Sequence, residues 1–93
     1  MIIAWDDRKN EDNFKKHGVW FEEAKTVWVD SNALEFFDPD HSDDEDRFIR
    51  VGYSTAFRVL MIVFCEREDD SVIRIISARN ATQKEKRAYA QRV

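Results

Sequence analysis

Apolar positions change their spacing along this chain, and each spacing predicts an element. Ile2-Ile3-Ala4-Trp5 is a short apolar run that reads as an edge strand. Asp6 or Asp7 can cap a following helix, because its carboxylate accepts a free first-turn N–H. That helix, about Arg8 to His17, is polar on most faces, with Phe14 its main apolar contact. Gly18 suits the left-handed residue that ends it, and a protonated His17 complements its dipole. Phe21, Ala24, Val27 and Trp28 then share one helical face, which predicts a second helix over 21–29. Asp30-Ser31-Asn32 is its stop.

From residue 33 the pattern shortens. Ala33–Phe37 has strand character, and the acidic, Pro-containing stretch 38–46 reads as a loop. Arg47–Ser54 predicts a strand, Thr55-Ala56-Phe57 a tight connection, and Arg58–Glu66 the most apolar and central strand. Glu68-Asp69-Asp70 predicts a hairpin turn and Val72–Ala78 the last strand, completing an antiparallel meander. Thr82-Gln83-Lys84-Glu85 has the spacing of a capping box, so a C-terminal helix follows from Gln83 to about Arg92. Two helices, a meander and a helix make an α+β fold, and 93 residues suit one domain, 1–93.

Composition narrows the class. Twelve aromatic residues fill a modest core, and with only two Gly and one Pro the chain is not of low complexity. One Cys rules out an internal disulfide and fits a reducing, cytoplasmic setting. No apolar run reaches the ~18–20 residues of a membrane span, and no signal peptide opens the chain. The net charge of −4 argues against nucleic acid, but it is an average of unlike halves. Residues 1–46 carry 14 acidic against 5 basic residues; residues 47–93 carry 5 against 10. Either the charges mix on one surface, or the second half presents a basic face to an anionic partner.

The candidate chemistry lies in that half. Strand alternation places Arg74, Ile76 and Ala78 on one face and Ile73, Ile75, Ser77 and Arg79 on the other. Arg74 therefore pairs with a carboxylate such as Glu66 or meets an open surface. Arg67 and Arg79 stand at strand ends, where a guanidinium fork can meet a phosphate. Arg47, Lys84 and Arg87, with Lys16 in the first half, add basic charge; the plain alternative for each is a solvated surface residue. His17 can move a proton near neutral pH, or simply end its helix. Cys65 reads as a buried structural thiol. Trp5, Trp28 and Tyr53 read as core; Trp20 lies off the apolar stripe. His17 and His41 have no ligand-spaced partners, so no metal site is expected; a hydrolase using His41 and its neighbouring Asp residues is a third reading.

In order along the chain, Trp5-Asp6, Lys16-His17-Gly18-Val19, Phe21-Glu22-Glu23-Ala24 and Asp38-Pro39-Asp40-His41-Ser42 are followed by Glu45-Asp46-Arg47-Phe48 and Val51-Gly52-Tyr53-Ser54. Arg74-Ile75-Ile76-Ser77-Ala78-Arg79, Ala81-Thr82 and Glu85-Lys86-Arg87 complete the series. It resembles the BrnT family of type II toxins over nearly the whole chain. The resemblance implies a RelE-like fold and a small ribonuclease that stops translation by cutting RNA without metal or other cofactor. It also implies a BrnA-like antitoxin partner through which the toxin could form oligomers. Arg67, Arg74, Arg79 and His17 become the catalytic candidates, with Lys16, Arg47, Lys84 and Arg87 as RNA contacts; the general base is His17 or Glu66. A binding module whose basic face docks an antitoxin, without catalysis, is the alternative. The chain departs from the family pattern at Trp20, where relatives often carry a helix-capping Ser, a loss worth about 1 kcal/mol.

Overall fold

Asp6 starts the first helix as expected: its side chain accepts the Lys9 amide at 3.0 Å. Gly18 ends it at φ 70°, returning its N–H to the Phe14 carbonyl. The computed structural model describes residues 1–41, 45–67 and 71–92. Their elements are β1 (Ile2–Ala4), α1 (Asp7–His17), α2 (Phe21–Ala24), a 3-10 helix (Lys25–Val29), β2 (Leu34–Asp38) and a 3-10 turn (Pro39–His41). β3 (Arg47–Tyr53), β4 (Val59–Arg67), β5 (Val72–Asn80) and α3 (Gln83–Arg92) follow. The predicted hairpin turn at 68–70 lies outside the described residues.

The five strands form one sheet in the order β1-β5-β4-β3-β2, so the most apolar strand is central. β2 to β5 pair antiparallel in sequence, and β1 adds to β5 in parallel. One face of the sheet carries Leu60, Ile62, Ile75 and Ala78, packed under Val19, Phe21, Ala24 and Val27. Across the other face, Tyr89 of α3 and Ala81, just before it, cluster with Val51 and Val59. Within α3, Glu85 and Tyr89 share the inward side at helical spacing, and Ala81 precedes the helix.

The second predicted helix is shorter than its periodicity suggested. Only Phe21–Ala24 is α-helical before the chain tightens into the 3-10 helix. Phe21, Ala24 and Val27 are nevertheless all buried, as their spacing required. Trp20 supplies no side-chain cap. Instead Asn10 reaches across from α1, its Oδ1 accepting the Phe21 amide at 2.7 Å while its Nδ2 donates to Glu22 at 2.8 Å. Trp20 is then free to stack on Phe14, ring centroids 4.1 Å apart and both rings partly in solvent.

A second asparagine closes the sheet. β1 pairs with β5 only as far as Arg74. Beyond it, Asn13 takes the place of a strand: its Oδ1 accepts the Ala78 amide at 3.1 Å, and its Nδ2 donates to the Ala78 carbonyl at 2.9 Å. That Nδ2 also donates to the Val19 carbonyl at 2.8 Å. A planar amide offers one acceptor and two donors, which is what a bare strand edge needs. Gly52 is required by close approach: a Cβ there would meet Ala33 Cβ and Asp30 Oδ2, each at 2.9 Å. Tyr53, expected in the core, is instead half-exposed beside Tyr89.

Candidate nucleic-acid interface

The alternation expected for β5 fails at one residue. Phe64 pairs with Ile75 but Val63 pairs with Ser77, so Ile76 is a bulge without a partner. An extra residue reverses the in–out order beyond it. Ala78 therefore returns to the core beside Ile75, and Arg79 moves to the opposite face, opposite Met61. Arg74, opposite Cys65, is on that same face. The bulge thus unites Arg74 and Arg79, which regular alternation would separate.

Arg47 also pairs with Cys65, and strand parity puts Arg67 on the same side. Four of the predicted arginines hence share the sheet face that α3 partly covers. Glu66 does not: it is opposite Ile73, on the core-facing side. The register therefore rules out both the expected Arg74–Glu66 pair and Glu66 as a base beside these arginines. The Asp6 carboxyl is held below its usual range first by the Lys9 amide and, more weakly, by the charge of Arg74.

A groove of about 460 Å³ opens on this face, lined by Arg47, Arg79, Asp38, Asp40 and Ser77 over a floor that includes Ile49, Met61 and Val63. Arg79 is anchored by Glu85, its two terminal nitrogens donating to the two carboxylate oxygens at 2.8 and 3.0 Å. The Arg79 hydrogen bonds hold the Glu85 carboxyl below its usual range, against the opposing effect of burial. Arg67 donates to Glu45 at 2.8 Å, and its pKa is raised further first by the Cys65 sulfur and then by the Glu45 charge. Cys65 itself is buried. Asp38 stands opposite Arg47 in the β2–β3 register.

Lys16 and His17 lie elsewhere. They line a smaller cavity of about 280 Å³ with Lys9, Asp12 and Asn13, on the α1 side of Ile76 and Ser77. Those two bulge residues border both cavities, so the α1 basic end and the arginine groove are neighbours across β5. Lys84 and Arg87 are exposed on α3, off its inward stripe. Two further arginines serve the scaffold. Arg58 forks onto Glu23 and reaches the Gly18 carbonyl at 3.2 Å. Arg50 lies over Trp28, pairs with Glu35 at 2.7 Å and donates to the Asp30 carbonyl at 3.1 Å.

Sequence reasoning missed Asp38 and Asp40 as groove residues. Local composition makes them part of an acidic loop, whereas pairing the strands on either side of that loop places Asp38 opposite Arg47. The side chains at 41–44, which the metal-hydrolase reading needs, lie outside the described ones.

Residues 5–85 match the family described as the ribonuclease toxin BrnT of type II toxin–antitoxin systems. The chain belongs to the BrnT family. The crystal structure of the Brucella abortus ribonuclease toxin BrnT is similar at a TM-score of 0.67 and 25% identity, over 89% of this chain and 99% of that one. No curated protein matches the sequence. BrnT membership implies a protein antitoxin and an RNA target, and the mixed α+β architecture is that of the Brucella BrnT toxin.

Proposed function

We propose that residues 1–93 form a single RelE-like toxin domain that cuts RNA in the cytoplasm without metal and thereby inhibits translation. The observation that carries this reading is the groove itself. The β5 bulge sets Arg79 beside Arg47, Asp38, Asp40 and Ser77, with Arg74 and Arg67 farther along the same face.

RNA needs no outside nucleophile. A ribose 2′-hydroxyl attacks the adjacent phosphorus, forming the O2′–P bond as the P–O5′ bond breaks; the departing O5′ takes a proton from water, leaving a 2′,3′-cyclic phosphate and a 5′-hydroxyl. Negative charge accumulates on the non-bridging oxygens during this step. Arg79 and Arg47 stabilise it, and fixed guanidinium donors cost no reorganisation as the charge develops. The Glu85 fork holds Arg79 in place for that task. A groove carboxylate, Asp38 or Asp40, takes the 2′-hydroxyl proton, since a base must stand within hydrogen-bond reach of the proton it removes. Lys16 and His17, across the bulge, extend the phosphate path, and Lys84 and Arg87 add charge at its α3 end.

The partner is a BrnA-like antitoxin, and higher assemblies form through it. One observation favours a second reading, a docking module without catalysis: Arg67 and Arg79 already hold internal carboxylates. Incubating the purified chain with RNA, with and without EDTA, separates the two. The nuclease reading expects cleavage in both conditions and products ending in cyclic phosphate. Intact RNA in both favours the docking module; cleavage lost with EDTA contradicts the metal-free mechanism.

A further inference from the structure

Among the described residues β2 is an end strand of the sheet, with β3 as its strand neighbour. Natural edges are usually blunted by Lys, Pro, a bulge or a covering element. Within Leu34-Glu35-Phe36-Phe37-Asp38 there is no Lys and no Pro, and the register with β3 is unbroken. The strand instead presents two large apolar side chains, one on each face: Phe36 is 50% exposed and Phe37 47%. Phe37 is also the outer rung of an aromatic ladder. It meets Phe48 edge-on at 5.8 Å, Phe48 stacks on Phe64 at 5.7 Å, and Trp28 closes on Phe64 at 5.0 Å. An added strand would lengthen that ladder by one rung.

Charge selects the occupant. Between Lys25 and Arg47 the chain has eight acidic residues and neither Lys nor Arg. Arg47 and Arg50 on β3, with Arg67 on Glu45, offset three of them and leave five in excess. At the outer edge of β2, away from the groove arginines, this potential favours a cation. It also disfavours a second copy of the same edge, whose Glu35 and Asp38 would face like charges. We propose that the outer edge of β2 binds an extended, basic segment of the partner antitoxin by strand addition, with Phe36 and Phe37 as anchors on its two faces. The acidic half of the chain then has a role of its own, as the complement of a cationic protein segment. The antitoxin itself follows from the family; the edge site does not depend on whether the chain cleaves RNA.

The test uses the intact chain and a synthetic capped peptide of alternating Lys and Val. Three controls accompany it: the Glu/Val analogue, a Lys/Val peptide interrupted by Pro, and a single-stranded RNA oligonucleotide. Hydrogen exchange and amide chemical shifts locate the binding. The Lys/Val peptide is expected to protect amides in Leu34–Asp38, and binding should weaken as ionic strength rises from about 0.05 to about 0.5 M. The Glu/Val and Pro-interrupted peptides should give no protection there. Phe36→Thr should weaken binding roughly fivefold to tenfold with the fold retained. Glu35→Gln gives a second variant, expected to weaken it less and to flatten the salt dependence. The proposal is overturned if the Lys/Val peptide leaves β2 unprotected, if the Glu/Val peptide binds equally, or if RNA displaces the Lys/Val peptide from residues 34–37. Self-association of the free chain through β2 would overturn it too. RNA cleavage is measured on the same samples, so loss of one property is read separately from loss of the other.

Discussion

The Glu85 carboxylate binds both terminal nitrogens of the Arg79 guanidinium, at 2.8 and 3.0 Å, and also accepts the Thr82 amide at 2.8 Å. One side chain thus caps α3 and orients an arginine of the groove. Its reciprocal bond, from the Glu85 amide to Thr82 Oγ1 at 3.2 Å, completes the capping box. Helix formation and the aim of Arg79 are therefore coupled.

Glu85→Gln separates the two roles, because Gln also serves in a capping box but carries no charge. The substitution should cost only about 1 kcal/mol in denaturant unfolding, as expected of a partly exposed ion pair. RNA cleavage should fall more, roughly tenfold to a hundredfold, since Arg79 is no longer held in position. Because the folded Glu85 pKa lies below its ordinary value of 4.5, the pair stabilises the fold above that pH. The stability is lost as pH falls through the lowered folded value. Acid unfolding of the variant should lack that component.

Asn13→Ala leaves the buried amide and carbonyl of Ala78 without partners on that edge. The Val19 carbonyl loses its Asn13 donor as well, so denaturant unfolding should report a loss of about 3 kcal/mol or more, at about 1 kcal/mol or more for each of three backbone groups. A cost below about 1 kcal/mol would show that the β5 edge does not depend on this side chain.

Tyr89 donates to Asp30 Oδ2 at 2.6 Å, and its pKa is pushed up to about 12, first by burial and then by this hydrogen bond. The neutral phenol is the form the fold favours. Its contribution is complete below pH 10 and is lost as pH rises towards 12. Thermal unfolding should therefore weaken over that window, and the part due to Tyr89 should vanish in Tyr89→Phe. That variant should also lose about 1–2 kcal/mol at neutral pH.

The groove carboxylates are expected to outrank His17 in proton transfer. Asp38→Asn or Asp40→Asn should lower single-turnover cleavage by about 10²–10⁴, the usual range for a general base. His17→Ala should act through RNA affinity, moving KM more than kcat. The opposite pattern would shift the base across the bulge to α1.

Much of the fold was legible because local signals agreed. The Asp6 cap, the Gly18 stop, the apolar β4 and the Thr82–Glu85 box each act within a few residues. What escaped was long-range. The Asn13 amide acts on Ala78, 65 positions away, and in sequence it is one polar residue in a polar helix. Asn10 replaces the cap missing at Trp20 from another element. The bulge at Ile76 leaves no mark in an apolar strand, since Ile75 and Ile76 fit either face; it nonetheless decides which side Arg79 takes. The arginine candidates could therefore be named from the sequence, but their union on one face could not.

Single-turnover RNA cleavage by Arg79→Ala and Arg47→Ala, set beside the melting temperature of each, tests the central claim most directly. If the groove is the reaction site, each variant keeps most of its thermal stability and loses about 10²–10³ in rate, the cost of removing one charge-stabilising donor. Cleavage at the unaltered rate by both folded variants would contradict it.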